Sequence, residues 1–402
     1  MVKKKIRVLF LTAGPPVPTW GGFMAFYRHF VERDDFELFV ATTNKRVLEY
    51  NPPYQLLLFE QPAWLERLCR TRLSRWAHSY RHLVAGNFIP AKVLRAAEQF
   101  QPDLVLTIAG TWDWTTLMSQ RLARKLGVPL VGSFNDWFDY NAIIHPRLHD
   151  RVERVFRQFF RDCDLALCTC EGMREALGPH PNAHILYPLG SRLEESPFAF
   201  KPRPGAEVQF RVAFAGNLGE WYGKMLEALV CRAREQNLPV EFRIFGSNAS
   251  WSPEFDAWAR ANNVYRGHLP FARLAGEMEQ VDGLLLLMGF APACAMIERT
   301  SFKTKFLDYL SFQKPILLWG PDYCSAVRIA REFDAADICI STESDKFLSM
   351  ILELQSHPAR QESLVRNAGR MYQDRFHPDC IHAVLVEQCR RLVKTPANER
   401  AP

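Results

Sequence analysis

The sequence predicts two doubly wound α/β domains facing each other across a ligand-binding cleft. Three observations predict it. Short, nearly continuous apolar strands alternate with helix-like segments, the pattern of a parallel sheet covered on both faces. The alternation stops at a charged, proline-rich stretch and then restarts. At 402 residues the chain exceeds one ordinary core and suits two.

The first element has two readings. Lys3, Lys4, Lys5 and Arg7 ahead of an apolar run from Val8 to Leu11 look like the front of a secretion signal. The run is shorter than a signal core of ~7–15 residues, and it ends in Gly14, Pro15 and Pro16 without a small-residue cleavage pattern. A short apolar run, a Gly/Pro loop and helical periodicity in GGFMAFYRHFVE predict a buried strand, a loop and a helix instead. Strands follow at FELFVAT, PDLVLTIAG, VPLVGSF, DLALCTC and AHILYPL, with helices such as AKVLRAAEQF and WTTLMSQRLARKLG between them. Residues 191–208, SRLEESPFAFKPRPGAEV, lack apolar periodicity and read as a linker. Strands return at FRVAFAG, VEFRIFG, DGLLLLMG, PILLWG and AADICIST, with VYRGHLP a short strand and loop, spaced by helices such as KMLEALVCRAREQ and TKFLDYLSFQ. The expected division is residues 1–190, the linker, a second domain over 209–372, and a C-terminal helix over 373–402 packing back on the first domain.

Composition narrows the function classes. A hydrophobic share of 48% with 23% charged residues is that of a folded globular chain. A spanning helix needs ~18 consecutive apolar residues, and the longest uncharged stretch, residues 8–27, is interrupted by three prolines and three glycines. The ten cysteines are scattered, and Cys168 and Cys170 have neither zinc nor redox spacing, so all are expected as reduced thiols of a cytoplasmic protein. Residues 64–83 hold five arginines against Glu66 alone, interleaved with Trp64, Leu68, Leu73, Trp76, Tyr80 and Leu83. That segment is either a surface helix or helix pair with a solvated basic face, or a patch for an anionic membrane surface or a phosphorylated lipid. No nucleic-acid recognition motif accompanies the net charge of +6.

In order and spacing, these segments resemble glycosyltransferases of the GT-B fold, above all the retaining nucleotide-sugar enzymes of glycosyltransferase family 4. The resemblance rests on PPVPTWGG after the first strand, KVLRAAEQFQPDLVLT, CDLALCTCEGMREAL, HILYPLGSRL, VAFAGNLGEWYGKMLEAL, FRIFGSN, NVYRGHLP and SFKTKFLDYLSFQKPILLWG. It implies two Rossmann-like domains and a nucleotide diphosphate sugar as donor, with no other cofactor. In the last motif Ser301, Thr304 and Lys305 open a helix, where free N–H groups and a lysine suit a diphosphate. The family assigns that lysine, Lys305, to the phosphates and the acid one turn on, Asp308, to the ribose hydroxyls. The plainer alternative is a helix-capping turn with a surface Lys–Asp pair. Gly216 and Asn217 would let the backbone approach the donor, with Lys224 supplying a further charge, and Gly246 and Ser247 would lie at the nucleobase. Gly21 and Gly22 correspond to the loop over the reacting diphosphate.

The chain also departs from the family. Many relatives carry a spaced pair of glutamates, the first touching the transferred sugar; counting back from Asp308 puts Thr300 there, and Glu298 is out of register. Asn217 stands where an arginine is common, and Asn135 and Asp136 stand where a histidine is common. Transfer by this machinery requires no metal, and no metal-ligand cluster is apparent among the histidines. Asp136 and Asp113, at predicted strand ends, are candidates to orient an acceptor hydroxyl. The acceptor expected is a glycan or lipid-linked sugar, and the location cytoplasmic, peripheral on the inner membrane face. Two alternatives stay open: a nucleotide-sugar 2-epimerase, and a non-catalytic scaffold of the same fold.

Overall fold

The computed structural model describes residues 4–18, 21–110, 114–137, 143–190, 200–219 and 221–395. They fall into two units, each built around its own parallel sheet. The first unit comprises residues 1–189, 300–302 and 378–402, and the second residues 190–299 and 303–377.

The first sheet contains β1 (Ile6–Leu11), β2 (Phe36–Thr42), β3 (Gln55–Leu58), β4 (Leu104–Ala109), β5 (Leu130–Phe134), β6 (Leu165–Cys168) and β7 (Ala183–Ile185), in the order β3-β2-β1-β4-β5-β6-β7. Its central strands are largely apolar because helices cover both faces; Val8, Leu9, Phe10 and Leu11 are all buried. The chain winds outward from β1 to β3, then returns to place β4 on the other side of β1, so the order reverses between β1 and β4. Edge strand β3 is absent from the sequence reading, since its four residues are only partly buried and show no alternation. The basic segment forms two helices, Ala63–Leu68 and Ser74–Leu83.

The second sheet contains β8 (Phe210–Asn217), β9 (Val240–Ser247), β10 (Gly283–Leu287), β11 (Ile316–Trp319) and β12 (Asp337–Cys339), in the order β12-β11-β10-β8-β9. The reversal lies between β8 and β10. In such sheets that switch point, at the carboxyl ends of the strands, is where a crevice for ligands opens. One face packs Phe214, Leu285, Leu287, Leu317 and Trp319 against Leu226, Leu229 and Val230 of the helix Trp221–Glu235 and Phe347 and Ile351 of the helix Ser344–Gln355. Each such buried side chain stabilises the unit by roughly 1.5–3 kcal/mol.

Two segments differ from expectation. Residues 200–208 are no free linker: Arg203 pairs at 2.8 Å with Asp282, itself 3% exposed, and donates to the Gln209 carbonyl. A buried carboxylate requires such a partner, so the charged stretch serves the second unit. Farther on, the turn Tyr372–Phe376 stays with the second unit, and the helix Pro378–Lys394 belongs to the first. It buries Ile381, Leu385, Cys389 and Leu392, and Arg33–Asp379 (2.8 Å) and Arg390–Asp35 (2.7 Å) ion pairs flank it. Between them the His29 and His382 Nδ1 atoms lie 3.1 Å apart, a spacing that accommodates a single proton. Burial and the neighbouring His382 hold His29 well below the ordinary histidine range.

All ten cysteines are free thiols, and Cys168 and Cys170 are fully buried. No helix among the described residues is long and apolar enough to cross a membrane.

Candidate active site

At the switch point of the second sheet, β8 and β9 end side by side, with Gly216 opposite Gly246 and Asn217 opposite Ser247. Both glycines have positive φ, 151° and 157°. A Cβ on Gly246 would meet the Gly216 carbonyl oxygen at 1.9 Å, so only glycine lets the two strand ends approach this closely.

The space above Gly216 is taken by Lys305. A Cβ on Gly216 would fall 1.9 Å from the Lys305 Nζ and 2.0 Å from its Cε. The helix Thr304–Leu310 that carries this lysine is anchored to the same strand. Tyr309, 2% exposed, accepts from the Ala215 N–H at 2.9 Å and donates to the Ala215 carbonyl at 3.4 Å, which sets the height of the helix over Gly216. The ammonium of Lys305 lies 4.4 Å from the centroid of the Phe214 ring and 5.5 Å from that of Tyr222. It is half-buried, and among the described residues it has neither a hydrogen-bond acceptor nor an ion-pair partner. Burial, then the charge of Lys303, push its pKa down to about 7. This is a cation held against aromatic rings with no anion of its own, and it is not the surface lysine of a capping turn.

Beside it lies a carboxylate that the sequence reading set aside. Glu298, 1% exposed, accepts at Oε1 from the Trp221 Nε1–H (3.0 Å), the Tyr222 hydroxyl (3.1 Å) and the Gly289 N–H (3.0 Å). Its Oε2 pairs with the Lys303 ammonium at 2.8 Å. Against the cost of burial, Tyr222 and this pairing together hold Lys303 well above the ordinary lysine range. Glu298 thus ties the loop after β10 to the helix after β8. Its hydrogen-bond partners lie 77, 76 and 9 positions away, and no local spacing announces them.

Other expected donor residues are distributed around this centre. Asn217 and Ser247 are exposed at their strand ends, and Asn217 accepts from the Gly219 N–H at 3.2 Å. Thr304 and Asp308 are half-buried on the Lys305 helix, Asp308 one turn beyond the lysine. Lys224 is exposed in the first turn of its helix, with no hydrogen bond or ion pair to the Lys305 group among the described residues.

In the first unit, Asp136 is exposed just beyond β5, and its carboxylate accepts from the Ser301 hydroxyl at 2.8 Å. Ser301 therefore meets an acid of the first unit. Gly21 and Gly22 open the helix Gly21–Phe30 and are not a loop; a Cβ at Gly22 would touch nothing within 4 Å. Asp113 lies outside the described residues. No group of three or more His, Cys, Asp or Glu among them could hold a metal ion.

Solved structures share this two-sheet architecture. HepE of Anabaena in complex with UDP aligns over 96% of this chain and 100% of its own, with a TM-score of 0.64 at 14% identity. A glycosyltransferase of Rickettsia africae gives 0.66 at 10% identity, over 98% and 100% of the two chains. Sucrose-phosphate synthase of Thermosynechococcus elongatus gives 0.60 at 11% identity, over 96% and 99%. These likenesses establish the GT-B fold. Residues 25–185 match the family model described as Glycosyltransferase Family 4. The chain has the GT-B fold. No curated protein sequence matches this GT-B-fold chain. The matched segment runs from the first helix to β7, and Lys305 lies outside that segment, in the second sheet's unit.

Proposed function

We propose that the enzyme moves a sugar from a nucleotide diphosphate sugar to an acceptor hydroxyl, with retention, and that Lys305 neutralises the departing diphosphate in the role a metal would otherwise fill. The observation carrying this reading is the half-buried ammonium of Lys305 at the switch point, seated in the space above Gly216 and, among the described residues, without an ion-pair partner. A fixed positive charge at developing negative charge is the largest single contribution in many such reactions. HepE, solved with UDP and with UDP-glucose, supports a nucleotide donor. Asp308, one turn from the lysine, offers an acceptor pair to the ribose diol. The bond from the anomeric carbon to the phosphate oxygen breaks, the acceptor oxygen bonds on the same face, and its proton passes to the released phosphate. Asp136, oriented by Ser301, holds the acceptor hydroxyl.

Melting the protein with UDP, GDP, ADP, dTDP and CMP tests this reading. One diphosphate at ~100 times its dissociation constant adds about 2.7 kcal/mol, a clear upward shift, and transfer should survive a chelator. No shift with any nucleotide overturns the donor assignment. Loss of transfer with chelator overturns the metal-free step, and free sugar released without an acceptor favours the epimerase.

The acceptor in this reading is a glycan or lipid-linked sugar met at an anionic membrane surface. Among the described residues, seven of the ten large exposed hydrophobics fall between positions 48 and 88, namely Leu48, Tyr50, Trp64, Leu73, Trp76, Tyr80 and Phe88. Arg70, Arg72 and Arg75 are exposed among them. Interfacial aromatics interleaved with arginine suit the headgroup region, at about 1 kcal/mol per basic residue near the surface. The protein should float with vesicles containing anionic lipid and not with neutral ones. Changing Arg70, Arg72 and Arg75 to Ser should abolish flotation; retained flotation rules out this surface.

A further inference from the structure

We propose that Glu298 is a positioning residue that decides which of two adjacent lysines meets the donor: it neutralises Lys303 and so leaves Lys305 as the free charge. The inference rests on the donor reading above and extends it to the residue that tunes the site.

Lys303 and Lys305 both lie over the Tyr222 ring, their ammonium groups 5.6 and 5.5 Å from its centroid. Two cations sharing one ring repel unless one is compensated. Glu298 compensates Lys303 at 2.8 Å, with a side chain that is 0% exposed and whose other oxygen is occupied by three donors. The carboxylate is therefore unable to swing to Lys305, and its grip on Trp221, Tyr222 and Gly289 fixes it on the Lys303 side. The charged and titratable groups around Lys305 are Lys303, which opposes its protonation, and Glu298 and Asp308, which favour it, with Tyr222 and Tyr309 as neutral neighbours. With Glu298 ionised, Lys303 is nearly cancelled, and Lys305 keeps its proton up to about pH 7. Without that charge, Lys303 stands uncompensated beside it, and Lys305 must lose its proton at lower pH.

The test is UDP affinity measured from pH 6 to 9 for the wild type, Glu298→Gln, Lys303→Met and the double variant. Binding requires the ammonium, so wild-type affinity should weaken by about tenfold per pH unit above its break near 7. The ionisation of UDP is common to all variants and cancels in the comparison. Glu298→Gln should move the break to lower pH, with affinity near wild type at the acid end and at least several-fold weaker at pH 8. Lys303→Met, which leaves Glu298 to act on Lys305 alone, should move the break upward. In the double variant the break should return to the wild-type position or above. A loss in Glu298→Gln that is equal at all pH values and unrelieved by Lys303→Met makes Glu298 a packing residue only and overturns the inference. Should Glu298→Gln fail to fold, an unmoved break in Lys303→Met overturns it alone. If the wild type binds no diphosphate, or Lys305→Met binds as the wild type does, the donor reading itself is what has failed.

Discussion

Lys305→Met is expected to raise the melting temperature of the protein while abolishing nucleotide binding. The lysine is half-buried against Phe214 and Tyr222 without an acceptor among the described residues, so folding confines a cation that the unfolded chain leaves in water. Its folded pKa, about 7, lies below the ordinary lysine value of about 10.4. Between those values the unfolded chain binds the proton that the folded one has released, so this group makes stability rise with pH across that window. Below pH 7 both states are protonated and the cost is complete. Methionine keeps the stem's packing and removes the charge. The gain in melting temperature should be largest at or below pH 7 and fade towards pH 10. Turnover should fall by about 10²–10³, the usual loss when one donor to developing negative charge is removed. Parallel melting and UDP-binding measurements at pH 6.5 and 9.5 check both halves. A melting temperature that falls would mean Lys305 has an anionic partner in the folded protein.

The same substitution at two neighbouring glycines should give different outcomes. In Gly246→Ala the new methyl meets the Gly216 carbonyl oxygen at 1.9 Å, on backbone that has no room to yield, at φ 157°. The ends of β8 and β9 must separate, and the expected loss is about 2–4 kcal/mol, with a visibly lower melting temperature. In Gly216→Ala the methyl meets the flexible end of Lys305 at 1.9–2.0 Å. The side chain can leave, so the stability loss is smaller, about 1–3 kcal/mol from the positive φ, while UDP binding is lost as fully as in Lys305→Met. Circular-dichroism melts of both variants, with UDP titrations on each, separate the two. Equal stability losses would show that Lys305 is held in place as rigidly as backbone.

Much of this architecture is legible in the sequence, for a definable reason. The run DGLLLLMG, short and bounded by turn residues, reads as a strand covered on both faces, and AKVLRAAEQF marks the helix Ala91–Phe100 residue for residue. Periodicity reports which faces are buried. It does not report what a buried charge is paired with, and there the reading falls short. Arg203 looks like one more charge in a solvated linker until Asp282, 79 residues away, is found against it. Glu298 looks out of register because a spacing pattern counts positions along the chain, whereas its hydrogen-bond partners come from the helix after β8 and the loop after β10. The position of Lys305 was readable from TKFLDYL; its confinement above Gly216 was not, since it depends on two elements meeting through Tyr309 and Ala215.

The helix Pro378–Lys394 has a consequence for the order in which the protein comes into being. It is made after every residue of the second unit, yet its apolar face and His382 complete the unit that holds β1. The second unit can close while that helix is still being made, because everything it contains lies before residue 378. The unit whose sheet is made before the second unit is thus completed only after it, with the surface around His29, Arg33 and Asp35 left uncovered until then. Domains made early usually fold early; here the chain's own path reverses that sequence.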